Sequence, residues 1–164
     1  MAIVTTKSGV ITNRDSTPVV LANDYLAKSV TLHATGVVAA ANGDSIGSAY
    51  KFASIPSNAF VVAVILANDA ITSASATIDL YDTTANGGAI VPSTGSGVIS
   101  TAISLATATT DRFTMTVSNP NGEKRVWELL GLSADPVKYY DIVMTLTAAS
   151  TAAGSISLSV LYSQ

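Results

Sequence analysis

A two-residue rhythm near the end of this chain constrains its fold more than any other feature. Ile156, Leu158, Val160 and Tyr162 alternate with Ser155, Ser157 and Ser159. Successive side chains of a strand point to opposite faces, so the pattern gathers apolar groups on one side and hydroxyls on the other. A half-buried strand satisfies it, whereas a helix of 3.6-residue period would scatter both sets around its axis. The same period recurs in Val30, Leu32 and Ala34 against Thr31, His33 and Thr35, and in Phe113, Met115 and Val117 against Thr114 and Thr116. Tyr140, Ile142, Met144, Leu146 and Ala148 form another such face.

Phe60 to Leu66 is apolar on both faces, as expected of a mid-sheet strand whose outer side is covered by a loop, an arm or a partner. Further strands are predicted near Ala49 to Ile55, Thr77 to Tyr81 and Val98 to Leu105. The total is about eight, separated by turn clusters at Asn42-Gly43, Asn86-Gly87 and Asn121-Gly122. With few helical signals, this argues an all-β fold, an antiparallel β-sandwich of jelly-roll-like type with one short helix. That helix is placed between Glu123 and Leu130, where Val126, Leu129 and Leu130 share a face. Gly131 supplies a left-handed C-terminal cap, and Pro136 blocks continuation. Residues 29–164 are read as the single sandwich domain. Residues 1–28, with polar Thr12-Asn13-Arg14-Asp15 and Thr17-Pro18, are read as an extended N-terminal arm that adds a strand to a neighbour's sheet or closes its own. Val61 to Tyr81 and Ile142 to Tyr162 both end Leu-Tyr, but their apolar phases disagree, so no internal repeat is assigned.

The chain has 164 residues, enough for one core that buries roughly 70% of the unfolded surface. Charged residues are 12% of it, about half the usual share. A chain so poor in titratable groups suits extended surface contact better than a catalytic cleft. Its five Lys and three Arg are scattered singly within a net charge of −3, which leaves no basic stripe for a row of phosphates and disfavours direct nucleic-acid binding. There is no cysteine, so neither disulfides nor thiolate zinc sites staple the fold. Met1 to Lys7 lacks a signal-peptide apolar region, and no apolar run approaches a membrane span; synthesis in the cytoplasm and no membrane partner are expected.

Gly43-Asp44-Ser45-Ile46-Gly47 matches the nucleophile-elbow pattern in form. The segment after it, Ala49 to Ala53, reads as strand rather than helix, and the sole histidine, His33, precedes the serine, against the chain order of that hydrolase class. A turn with glycines at positive φ explains the motif better, and the protein is read as not an enzyme. His33 lies on the polar face of its strand, an exposed or interface position, and cannot build a zinc site alone. Asp79 and Asp82 flank Tyr81 and offer calcium two carboxylates, but no loop of EF-hand spacing exists, so neither metal nor cofactor is expected. Trp127 lies in the densest charge cluster, with Glu123, Lys124, Arg125 and Glu128; a tryptophan there serves packing, or, with Arg125, a buried contact.

Asn42 to Ser48, Leu80 to Ala89, Val126 to Pro136, Tyr140 to Ala149 and the terminal Leu161-Tyr162 together resemble the small cement, or head-decoration, proteins of tailed bacteriophages of the podovirus type. The resemblance runs from about Ile3 to Tyr162 and rests on turns and core strands. It implies a structural virion protein on the outer surface of the capsid that ties neighbouring major capsid protein subunits together, and that pairs with itself as a homodimer at a symmetry axis. Amphipathic position and arm geometry nominate Ile3, Val4, Lys7 and Arg14 as capsid contacts, with Arg125 and Trp127 as a second region. The alternative is a tail or fibre component or a carbohydrate-binding sandwich, which would need coplanar exposed aromatics from a chain that holds only ten aromatic residues.

Overall fold

The computed structural model describes residues 30–82, 98–115 and 124–164. Among these are eight strands, β1 (Thr31–Ala40), β2 (Ala49–Pro56), β3 (Phe60–Asn68), β4 (Ser75–Asp82), β5 (Val98–Ser104), β6 (Thr109–Met115), β7 (Tyr139–Ala148) and β8 (Gly154–Ser163), and a single helical turn, α1 (Val126–Leu129). All pairings are antiparallel. They build two four-stranded sheets of order β1-β8-β3-β6 and β2-β7-β4-β5. The chain changes sheet at every step except β4 to β5. Sequence neighbours therefore face each other across the core while hydrogen-bonded neighbours are remote in sequence, which is the jelly-roll arrangement.

The alternation seen in the sequence sets the core. Tyr140, Ile142, Met144 and Leu146 of β7 and Ile156, Leu158 and Val160 of β8 are each at most 2% exposed. Burying an aliphatic side chain of this size contributes about 1.5–3 kcal/mol relative to leaving it in water. β3 is interior to its sheet, as its two-sided apolarity predicts, but it is not uniform. Its register against β8 shifts between Val61 and Ala63, so Val62 stands 51% exposed while Val61, Val64 and Leu66 point inward. Its outer residues Ala63, Ile65 and Ala67 are half-buried. β1 extends to Ala40, beyond the predicted alternation, and Val30 precedes it and is exposed.

β1 and β2 meet where the sandwich closes along one side. The register of β2 against β7 skips between Lys51 and Ala53, leaving Phe52 as the bulged residue. A Cβ on Gly36 would lie 2.2 Å from the Phe52 carbonyl oxygen, so only glycine permits this approach.

Strand directions sort the connections to two ends. One end gathers Pro56 to Phe60, α1 and the segment leading to Tyr139, and the close of β8. At the opposite end the loops bind one another. Asp44 Oδ2 accepts from the Tyr50 hydroxyl (2.6 Å) and the Ala41 amide (2.9 Å), the Ser150 hydroxyl donates to the Ala41 carbonyl (2.7 Å), and Asn68 Nδ2 donates to the carbonyls of Leu105 and Thr107.

Candidate interaction surface

The end that carries α1 is assembled around Ser57, which is 2% exposed in the turn between β2 and β3. The first amides of a helix have no partner within it. Here the Val126 amide donates to the Ala59 carbonyl (2.8 Å) and the Trp127 amide to the Ser57 carbonyl (3.0 Å), which docks α1 on the turn. Glu128 Oε2 accepts the Arg125 amide (2.8 Å) and completes the helix start. At the other terminus Gly131, with φ of 69°, donates to the Glu128 carbonyl, and the Leu132 amide donates to the Trp127 carbonyl. These two bonds form a Schellman cap, as Gly131 led one to expect, and Val126 and Leu130 fill the core beneath.

The chain then reverses through Asp135-Pro136-Val137-Lys138. Asp135 Oδ1 accepts from the Val137 amide two residues on (2.9 Å), an Asx-type turn, and from the Ser57 hydroxyl (2.5 Å). The Ser57 hydroxyl accepts the Lys138 amide (3.1 Å), and the Ser57 amide donates to the Lys138 carbonyl (2.7 Å). Ser57 thus fixes both walls of the turn. The bond from its hydroxyl, followed by the Val137 amide and the nearby Arg125 charge, holds the Asp135 carboxyl below the usual carboxylate range. Lys138 forms a short ion pair with Asp82, which raises the lysine above its ordinary value, and its ammonium lies 5.1 Å from the centre of the Tyr140 ring.

Fixed in this way, Val137 has φ of +50°, an uncommon and unfavourable region for a β-branched residue. Val137 is 85% exposed and Tyr139, two residues on, is 57% exposed. Pro56, Ser57, Asn58, Asp135, Val137, Lys138, Tyr139 and Gln164 line an open cavity of about 150 Å³.

Of the contact residues expected from sequence, Arg125 and Trp127 come together at this end. The Arg125 guanidinium stands 5.6 Å from the centre of the Phe60 ring. Trp127 is half-buried, and its indole N–H is buried with no acceptor among the described residues. Ile3, Val4, Lys7 and Arg14 lie outside the described residues, as do the turns expected at Asn86-Gly87 and Asn121-Gly122. Ser57, Asp135, Val137 and Tyr139 were not singled out by sequence. Asp135-Pro136 signals a turn, but nothing in the sequence reveals the left-handed backbone that follows it.

The other motifs take turn, surface and core positions. Gly43 and Gly47 have φ of 89° and 88°, and the chain continues from them into β2 rather than a helix. His33 is exposed on the outer face of β1. Asp79 is 7% exposed and accepts from the Thr77 hydroxyl (3.0 Å), with its carboxyl pushed up by burial; Asp82 is taken by Lys138. Among the described residues no three histidines, cysteines or carboxylates gather to hold a metal ion.

No family model and no curated protein matches the sequence. Solved structures do. A chain of the capsid asymmetric unit of cyanophage Pam1 superposes with a TM-score of 0.53 at 17% identity, over 82% of this chain and 85% of that one. A chain of the capsid of Ralstonia phage GP4 superposes with a TM-score of 0.59 at 13% identity, over 82% and 84%. The all-β sandwich described above is thus similar in fold, across most of its length, to chains found in two phage capsids.

Proposed function

We propose that this chain is a structural virion protein that binds the outer surface of a phage head and cements neighbouring major capsid protein subunits, pairing with itself as a homodimer at a symmetry axis. The observation that carries this reading is the fold shared over 82% of the chain with chains of two phage capsids. The composition supports it, since a sandwich with so few charges offers broad faces and turns for contact. Among the residues whose exposure is described, Tyr139 is the one exposed large aromatic, so they present no set of coplanar exposed aromatics of the kind the carbohydrate-binding alternative calls for. The proposed role requires neither cofactor nor metal, and no contact with nucleic acid or membrane.

Cementing works by multivalency. A copy that touches two or more capsid subunits keeps a released contact at high local concentration, so modest contacts become durable together. Binding only the assembled shell stabilises it against rupture by mass action. The arm residues Ile3, Val4, Lys7 and Arg14 are assigned to one contact region, and Arg125 and Trp127 to the other. The test is quantitative mass spectrometry of purified, DNA-filled particles. A copy number near that of the major capsid protein, or a simple lattice fraction of it, supports the reading; a handful of copies redirects it to the tail, and absence ends it.

A further inference from the structure

We propose that Ser150 guards a latent modification site, holding the Asn42-Gly43 pair in a geometry that blocks its spontaneous deamidation. This holds whether or not the chain is a virion protein. Asn-Gly pairs occur at Asn42, Asn86 and Asn121. In such a pair the backbone nitrogen after the asparagine can attack the side-chain amide carbon, because glycine has no side chain to obstruct it. The new N–C bond closes a succinimide ring as the Cγ–Nδ2 bond breaks, and ammonia leaves with the proton that the backbone nitrogen gives up. Water then opens the ring to aspartate or isoaspartate. Beyond water, the reaction needs an accessible asparagine and a backbone nitrogen free to reach Cγ. Asn42 is exposed, so the nitrogen decides the outcome.

That nitrogen is neither free nor well placed. The Asp44 amide faces the Ala41 carbonyl at 3.5 Å, and Gly43 has a positive φ of 89° whereas Asn42 does not adopt one, so Ala41 to Asp44 form a type II turn. Its central peptide is rotated so that the Gly43 nitrogen points away from the Asn42 side chain, and attack on Cγ requires that peptide to flip. Ser150 opposes the flip. Its carbonyl accepts the Gly43 amide (3.1 Å), and its amide donates to the Asp44 carbonyl (3.0 Å). Its hydroxyl accepts the Asp44 amide (3.1 Å) and donates to the Ala41 carbonyl (2.7 Å). Asp44 tightens the same turn through the Ala41 amide and the Tyr50 hydroxyl. The nucleophile is therefore released only by a local opening that breaks several bonds together, and the reaction is slowed by the rarity of that opening. Isoaspartate would lengthen the main chain by a methylene and spoil this set of bonds, so the guard also preserves the join between the β1–β2 and β7–β8 loops.

The test uses the purified full chain in mildly alkaline buffer below its melting temperature, with a parallel sample unfolded in urea. Mass spectrometry follows the peptide that carries Asn42 for a gain of one mass unit and for isoaspartate. The unfolded chain should convert readily at all three Asn-Gly pairs, and Asn42 in the folded chain should convert at least about tenfold more slowly than in urea. Ser150→Ala removes both hydroxyl bonds, and Asp44→Ala removes those to Ala41 and Tyr50; each should speed conversion of Asn42 severalfold while the chain remains folded by circular dichroism. Gly36→Ala, which strains the sandwich away from this turn, is the control for general loosening and should leave the folded rate unchanged. A folded rate equal to the rate in urea would overturn the guard. So would a slow rate that neither Ser150→Ala nor Asp44→Ala raises, or one that Gly36→Ala raises as much as they do.

Discussion

Adding one methyl group at Gly36 tests how the sandwich closes. In Gly36→Ala the new Cβ would fall 2.2 Å from the carbonyl oxygen, 2.8 Å from the carbonyl carbon and 3.0 Å from the Cα of Phe52. All three are backbone atoms, and they sit in the β2 bulge, so no side chain can rotate away. β1 must separate from β2 by roughly 1 Å, which places the cost at the upper end of ordinary overpacking, about 3 kcal/mol. Removing a glycine also restricts the unfolded chain and returns about 0.4–1 kcal/mol. The net loss of about 2–3 kcal/mol corresponds, at about 2–4 °C per kcal/mol for a chain of this size, to a fall in melting temperature of roughly 5–10 °C. Gly43→Ala is the control. Nothing lies within 4 Å of its new Cβ, but φ is +89°, so it bears only a left-handed backbone penalty of about 1–2 kcal/mol. Scanning calorimetry on the three proteins decides the matter. A Gly36→Ala protein that melts within about a degree of wild type, or above Gly43→Ala, would refute the close approach of β1 and β2.

Ser57→Ala removes the acceptor of the Lys138 amide and a donor to Asp135 from a site 2% exposed, and should cost about 1–3 kcal/mol in urea unfolding. The Asp44 carboxyl is held low, first by the Tyr50 hydroxyl and then by the Ala41 amide. A carboxyl with a depressed folded pKa contributes stability that is present above its unfolded value and lost as pH falls through the folded one. Tyr50→Phe should therefore flatten the acid side of the stability profile, and a profile parallel to wild type below pH ~4 would count against this bond. Asp79 has the opposite sign, because burial raises its carboxyl; its stability is present below the unfolded value and lost as pH rises. Asp79→Asn should raise the melting temperature more at pH ~7 than at pH ~4, and equal shifts at both would contradict the assignment.

The core was legible because its signal is local. Ile156, Leu158 and Val160 alternate with serines whichever strand lies beside them, and Gly131 caps a helix through its own backbone. Pairing was not legible, because β8 is hydrogen-bonded to β1 and β3, more than eighty residues away, and alternation gives a face without naming a neighbour. Nor was the close approach at Gly36, whose need for glycine arises from a bulge in another strand. At the candidate surface the sequence flagged Arg125 and Trp127 through composition. It missed Val137, whose conformation is imposed by Ser57, some eighty residues earlier, and Ser57 looks like any other serine in a serine-rich chain.

Among the described residues the two ends of the sandwich differ in backbone strain, and we take that difference to argue for which end meets a partner. Opposite α1, the loops around Asp44, Asn68 and Ser150 bind each other's donors and acceptors. The non-glycine residue at positive φ there, Ser73 at 64°, is unbranched at Cβ and sits in an exposed turn. At the α1 end a β-branched residue holds a left-handed backbone with its side chain in water, an indole donor is buried without an acceptor among the described residues, and a cavity opens beside both Val137 and Tyr139. The first two lower the stability of the isolated chain. A sequence selected for stability alone would remove the first by placing asparagine or glycine at position 137 without disturbing the core. A valine there is accounted for in the proposed assembly if that side chain is covered, and the α1 end is the place to look for the contact.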